Sequence, residues 1–217
     1  GFTSVAAGIN GSFSEVPNTN PSHHDYDVIG APNGFWATWS TVPPTGGSGG
    51  IFVRKLDLAG NAIEPVVSID SSGDVGEVDL TILEDNNVLL TYSKYVSGYR
   101  RLETRVLDPD GNIILSATAS AGEATGDYIG GEAIDLGNSQ YLLKWTYSVN
   151  HPQVATTGSY GQVFNYDGSK VGGKFALSGT ESGDSASEIV SIGNSKVASL
   201  WRDISAGTLE VSIYDYS

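Results

Sequence analysis

The sequence predicts an all-β fold, a four-bladed β-propeller whose N-terminal strand closes the last blade. Three observations carry that expectation: strand-like runs set off by turn dipeptides, an internal repeat of four units, and chain ends that complement each other. Runs such as Val88-Leu89-Leu90-Thr91-Tyr92 and Tyr141-Leu142-Leu143-Lys144-Trp145 are short, apolar or aromatic, and bounded by polar residues, which suits a pleated surface. Asn10-Gly11, Asn33-Gly34, Asp110-Gly111 and Asp167-Gly168 recur between such runs. These pairs accept the positive φ angles that tight hairpins demand.

The repeat is marked by Trp39, Tyr92, Trp145 and Trp201, which end similar strands at spacings of 53, 53 and 56 residues. A first apolar strand, for example Val78 to Leu83 or Glu188 to Ile192, opens each unit. A polar turn follows: Ala31-Pro32-Asn33-Gly34, Glu84-Asp85-Asn86-Asn87, Gly137-Asn138-Ser139 and Gly193-Asn194-Ser195. The aromatic strand, a variable loop and a third strand ending in Asp come next (Ile51 to Asp57, Leu102 to Asp108, Gly161 to Asp167, Leu209 to Asp215). A Gly-containing turn leads to the fourth strand, as in Ala62 to Ile69 or Lys170 to Leu177. Four antiparallel strands in such a length make a propeller blade. The fourth unit stops at Asp215-Tyr216-Ser217, just where its last strand is due, and Ile9 to Val16 matches Ala59 to Val66 in pattern. A single domain over residues 1–217 is expected, with repeats near 21–70, 71–120 and 121–179, and a fourth built from 180–217 plus 1–20. Closure protects the sheet edges.

Composition narrows the partners. Eleven basic against 25 acidic residues give a formal net charge of −14. Nucleic acid is excluded as a partner, because binding it needs Lys and Arg to displace counterions. Anionic membrane surfaces are disfavoured on the same ground, and no apolar run reaches the roughly 20 residues of a membrane-spanning helix. With no cysteine, disulfides, zinc–thiolate sites and thiol nucleophiles are excluded. The absence of methionine reads as a processed mature form or an excised domain. Oligomeric state is not legible.

The segments Gly73-Asp74-Val75-Gly76-Glu77, Gly126-Asp127-Tyr128-Ile129-Gly130-Gly131-Glu132 and Gly183-Asp184-Ser185-Ala186-Ser187-Glu188 share a Gly-Asp start. They lead through the turn and the aromatic strand into Val53-Arg54-Lys55-Leu56-Asp57 or Arg105-Val106-Leu107-Asp108. The pattern resembles the roughly 50-residue repeats of large secreted bacterial proteins, found beside calcium-binding RTX and cadherin-like modules. In blade count and chain ends it also resembles the four-bladed hemopexin-like architecture. The repeats depart from the first pattern in lacking Gln after Asp74, Asp127 and Asp184, and Ser22-His23-His24-Asp25 stands in the first unit. The resemblance implies a secreted or cell-surface, adhesion-related module rather than an enzyme.

Candidate sites follow. Asp74, Asp127 and Asp184, with Glu132 and Glu188 (and Glu77) a few residues on, would approach a central axis in a four-fold array. Converging carboxylates there could hold Ca²⁺ in the central channel, a cation that takes six to eight oxygens; the alternative is that each Asp caps a polar turn. Asp108, Asp110 and Asn112 have the alternation of a calcium loop but lack its distal Glu, so a hairpin turn is expected. His23, His24 and Asp25 are expected to be loop residues, because adjacent positions on extended chain point to opposite sides. Trp36, Tyr95, Tyr99 and Tyr147 (with Tyr160) are the aromatics outside the repeat period. With Arg100 and Arg101 they could form a sugar-binding face, against the alternative that they cover sheet surface. No nucleophile elbow, phosphate loop or zinc-protease helix is present. The expected function is a secreted or cell-surface, non-catalytic binding or adhesion module for carbohydrate or a surface polymer. The alternative is a structural or protein-interaction part of an extracellular assembly, and a small glycosidase stands behind both.

Overall fold

The computed structural model describes residues 22–42, 49–118, 127–148, 158–179 and 185–216. They form four antiparallel sheets in chain order. Sheet I holds β1 (Ser22–Ala31), β2 (Gly34–Val42), β3 (Gly49–Leu56) and β4 (Val67–Gly73). Sheet II holds β5 (Val75–Ile82), β6 (Val88–Val96), β7 (Tyr99–Leu107) and β8 (Ile113–Thr118). Sheet III holds β9 (Asp127–Gly137), β10 (Gln140–Ser148), β11 (Gly158–Asn165) and β12 (Lys170–Ala176). Sheet IV holds β13 (Ser185–Gly193), β14 (Lys196–Asp203) and β15 (Thr208–Asp215). Four units of meandering strands are therefore present, as the repeat predicts. None of the four sheets is closed on itself. The strand expected over residues 9–16, and with it the expected closure of the last unit, lies outside the described residues.

Turn chemistry explains the regularity. Asn33, Asn86, Asn138 and Asn194 open the equivalent turn of each unit with φ of 67°, 65°, 54° and 54°. Asparagine is among the few non-glycine residues that enter this region readily. At the opposite hairpin, Asp57 and Asp108 each accept two backbone N–H bonds across the turn, from Ala59 and Asn61 and from Asp110 and Asn112. The side-chain amides of Asn61 and Asn112, which donate to the same carboxylates, and these backbone bonds hold both carboxyls below their ordinary range. The Asp108–Asn112 segment is thus a hairpin turn, as expected.

The sheets pack face to face, with β1 against β5, β5 against β9 and β9 against β13. Between sheets I and II lie Trp36, Ile51, Val53, Val88, Leu90 and Tyr92. Leu89, Leu102, Val106, Tyr141, Leu143 and Trp145 fill the next seam, and Leu142, Val163, Ile189 and Val197 the third. The periodic aromatics Tyr92 and Trp145 belong to these seams, at 0% and 6% exposure.

Gly34 shows how closely the backbones approach. A Cβ there would stand 1.9 Å from the Leu56 carbonyl oxygen, whereas one on Gly30 meets nothing within 4 Å. Gly34→Ala is expected to cost about 3 kcal/mol through overpacking, and Gly30→Ala close to nothing, as read by urea unfolding of the two variants.

Candidate active site: a carboxylate row on the inner strands

Each sheet begins with an inner strand, and each inner strand carries one extra residue relative to its neighbour. Register slips between His23 and Tyr26, between Gly76 and Asp79, opposite Lys144 and Thr146, and between Ala186 and Glu188. These are β-bulges, which bend a strand and re-aim its side chains. Glu77 lies in the second bulge with φ of 52°, where the third has Gly130 at 63°. At the end of each bulge, or one residue past it, stands a carboxylate: Asp27, Asp79, Glu132 and Glu188, at intervals of 52, 53 and 56 residues.

The first two of these bond to the next sheet. Asp27 Oδ2 accepts the Leu80 N–H at 2.8 Å, and Asp79 Oδ2 accepts the Ala133 N–H at 3.1 Å. A parallel rung lies beside them: Asp25 Oδ2 takes the Glu77 N–H at 2.8 Å, and Glu77 Oε2 takes the Gly130 N–H at 3.0 Å. Glu132, the equivalent in sheet III, pairs with the Lys144 ammonium on the adjacent strand. Arg100 closes the upper rung, donating through Nη1 to Glu77 Oε1 at 3.3 Å and through its backbone N–H to Asp127 Oδ1 at 2.8 Å.

Crowding carboxylates on partly buried strands has an electrostatic consequence. Burial pushes the Asp79 carboxyl up to about 7; the Ala133 N–H resists, the charges of Asp27 and Glu132 add to the rise, and Lys144 offsets part of it. Asp70, on β4, goes the other way. Burial opposes its ionisation, but bonds from the Ser72 hydroxyl and N–H, Lys94 and Tyr92 outweigh it and hold the carboxyl down to about 2. One carboxyl whose pKa is raised to about 7 therefore has two other carboxylates and the buried Lys144 as its charged neighbours.

The sequence-derived candidates fall in several places. Trp36 is not a loop aromatic: it lies on β2 at 2% exposure, in the seam between sheets I and II, with Lys55 Nζ 5.6 Å from its ring. Tyr147 is on β10, edge-on to Tyr128 at 5.2 Å, and Tyr99 is on β7 beneath the Arg101 guanidinium at 5.2 Å. Tyr95, at the end of β6, is half exposed, and its N–H donates to the Asp74 carbonyl. Arg100 reaches the carboxylates rather than an aromatic face. Asp127 is engaged by Arg100 and Glu132 by Lys144, while Glu188 is exposed. Asp184 lies outside the described residues, as do the side chains of His23 and His24. Among the described residues no three His, Asp or Glu gather so as to hold a metal ion. Asp27 and Asp79 were missed from the sequence. The signal was there: each stands 12 or 13 residues before the periodic Trp39 or Tyr92, as Glu132 and Glu188 stand 13 before Trp145 and Trp201.

No family model matches the chain, and no curated protein matches it. Solved structures do resemble it. An endo-arabinanase of glycoside hydrolase family 43 from Bacillus licheniformis is 15% identical over 89% of this chain and 73% of its own, with a TM-score of 0.46. The endo-arabinase from Bacteroides thetaiotaomicron VPI-5482 is 12% identical over 88% and 74%, at 0.46. A Bacillus subtilis arabinanase is 16% identical over 88% and 72%, at 0.43. The resemblance brings out glycoside hydrolases, not RTX-associated repeats or hemopexin-like modules. The expectation of a non-catalytic binding or adhesion module is corrected on that finding, although likeness at this level assigns neither a reaction nor a residue to this chain.

Asp79 generates a prediction about stability. Its folded-state pKa of about 7 lies above the ordinary 3.8, so its protonation stabilises the fold fully below pH ~4 and that contribution is lost as pH rises towards ~7. The melting temperature is expected to fall across this window in the native chain and to stay flatter in Asp79→Asn, as followed by circular dichroism.

Proposed function

We propose that the chain is a glycoside hydrolase working through the inner-strand carboxylates. The observation that carries this reading is the row of inner-strand carboxylates in which Asp79, its carboxyl pushed up to about 7 by burial, has Asp27 and Glu132 as charged neighbours, since glycoside hydrolysis requires one carboxylic acid and one carboxylate at the same bond. Asp79 is the acid: it donates its proton to the glycosidic oxygen as the bond to the anomeric carbon breaks. Both oxygens of Asp27 receive backbone N–H groups, from Val28 and Leu80. Glu132 engages Lys144 through Oε2, and its Oε1 is assigned the other role, drawing a proton from the attacking water or meeting the anomeric carbon itself. Lys144 sets the position of Glu132. Arg100 and Glu77, each about one-third exposed at the side chain, stand at the rim and supply donors and acceptors for sugar hydroxyls.

The substrate class is carbohydrate. A panel of polysaccharides, arabinan among them, assayed for new reducing ends tests the proposal directly. Turnover is expected with an alkaline limb near pH 7, set by Asp79. Asp79→Asn and Glu132→Gln are expected to reduce it by ~10²–10⁴, the span of general acid–base catalysis, with their circular dichroism unchanged. Absence of turnover across the panel from pH 4 to 8 overturns the proposal.

A further inference from the structure

The repeat gives every sheet two faces with different destinies. One face looks to the preceding sheet: Val88, Leu90 and Tyr92 of sheet II bury against sheet I, and Tyr141, Leu143 and Trp145 of sheet III bury against sheet II. The other looks to the following sheet, as Val106 and Val163 do at 2% and 3% exposure. Strand register makes these positions equivalent, because Leu89 pairs with Val106, Leu142 with Val163 and Ala198 with Ile213.

At the two ends of the row no sheet among the described residues covers the same faces. Ile213, the sheet IV equivalent of Val106 and Val163, is 62% exposed, and Val211, the equivalent of fully buried Val53, is 66% exposed. Leu209, Val190 and Ile192 lie exposed on the same face. On sheet I, Tyr26 and Val28 are exposed at 82% and 62%. They flank Trp39 and Ala37, the equivalents of buried Tyr92 and Leu90. Contiguous apolar area of this kind marks an interaction surface.

We propose that a second copy of this chain covers these faces head to tail, the outer face of sheet IV on one copy docking on the outer face of sheet I on the next. The contact continues the seam already made three times within the chain, with a following-sheet face meeting a preceding-sheet face. It is heterologous, so two different patches meet and neither binds its own kind. This inference is independent of the proposed reaction.

The test is the mass in solution, by light scattering after size exclusion, of the native chain and of Val211→Lys and Val28→Lys. Both positions are exposed, so each variant keeps its fold, as checked by circular dichroism. The native chain is expected at two or more copies, and each variant alone at one. An equimolar mixture of the variants restores a species of one copy of each, because each supplies the face the other has lost. A monomeric native chain at every concentration overturns the proposal. A single variant that assembles as the native chain does overturns it too, since the contact then lies elsewhere or joins like faces.

Discussion

Side-chain carboxylates take over, between neighbouring sheets, the work that backbone carbonyls do within them. Inner strands of successive sheets belong to separate sheets and share no ladder, yet their N–H groups need acceptors, because a buried donor left unmet costs about 1–3 kcal/mol. Asp25 and Asp27 meet two of those donors on β5, and Glu77 and Asp79 meet two on β9. The bulge in each inner strand and the apolar filling of each seam follow from this arrangement. Without the extra residue the carboxylates would not be aimed at the next strand, and without packed seams the strands would not be near enough to bridge.

The same device sets the chemistry. A carboxylate placed to bridge two sheets is partly withdrawn from water and has other acids for neighbours, the two conditions that raise a carboxyl pKa. Asp79 meets both, with Asp27 on one side and Glu132 on the other. An acid suited to proton donation near neutrality thus arises where the architecture already needs an acceptor. Lys144, buried beside Glu132, limits the accumulation of negative charge.

Much of the fold was legible because its signals are local. Asn33, Asn86, Asn138 and Asn194 mark one hairpin of each unit through a backbone angle few residues adopt, and Asp57 and Asp108 mark the other through hydrogen bonds spanning four residues. The site was less legible because its defining contacts join residues 52 to 54 apart through backbone N–H groups, such as Asp27 to Leu80 and Asp79 to Ala133. A backbone donor has no sequence signature. Trp36 misled for a related reason. It falls outside the aromatic period, and only the approach of sheet II, where a Cβ added at Gly111 would stand 3.5 Å from the ring, shows that the space around it is filled. The shared Gly-Asp starts point to Asp127 but not to Asp79, which sits five residues beyond Asp74 on the far side of a bulge.

The bridges also have a direction. Sheet I gives acceptors and sheet II receives them; sheet II gives and sheet III receives. Sheet II therefore carries one half of each of two junctions, and both are of the same design. A molecule built this way behaves as a row of coupled links whose stability is a sum over units and nearest-neighbour contacts. Lengthening the row by duplicating one unit would create a new junction without redesigning an old one. Damage to one carboxylate would weaken a single link and leave the links on either side intact.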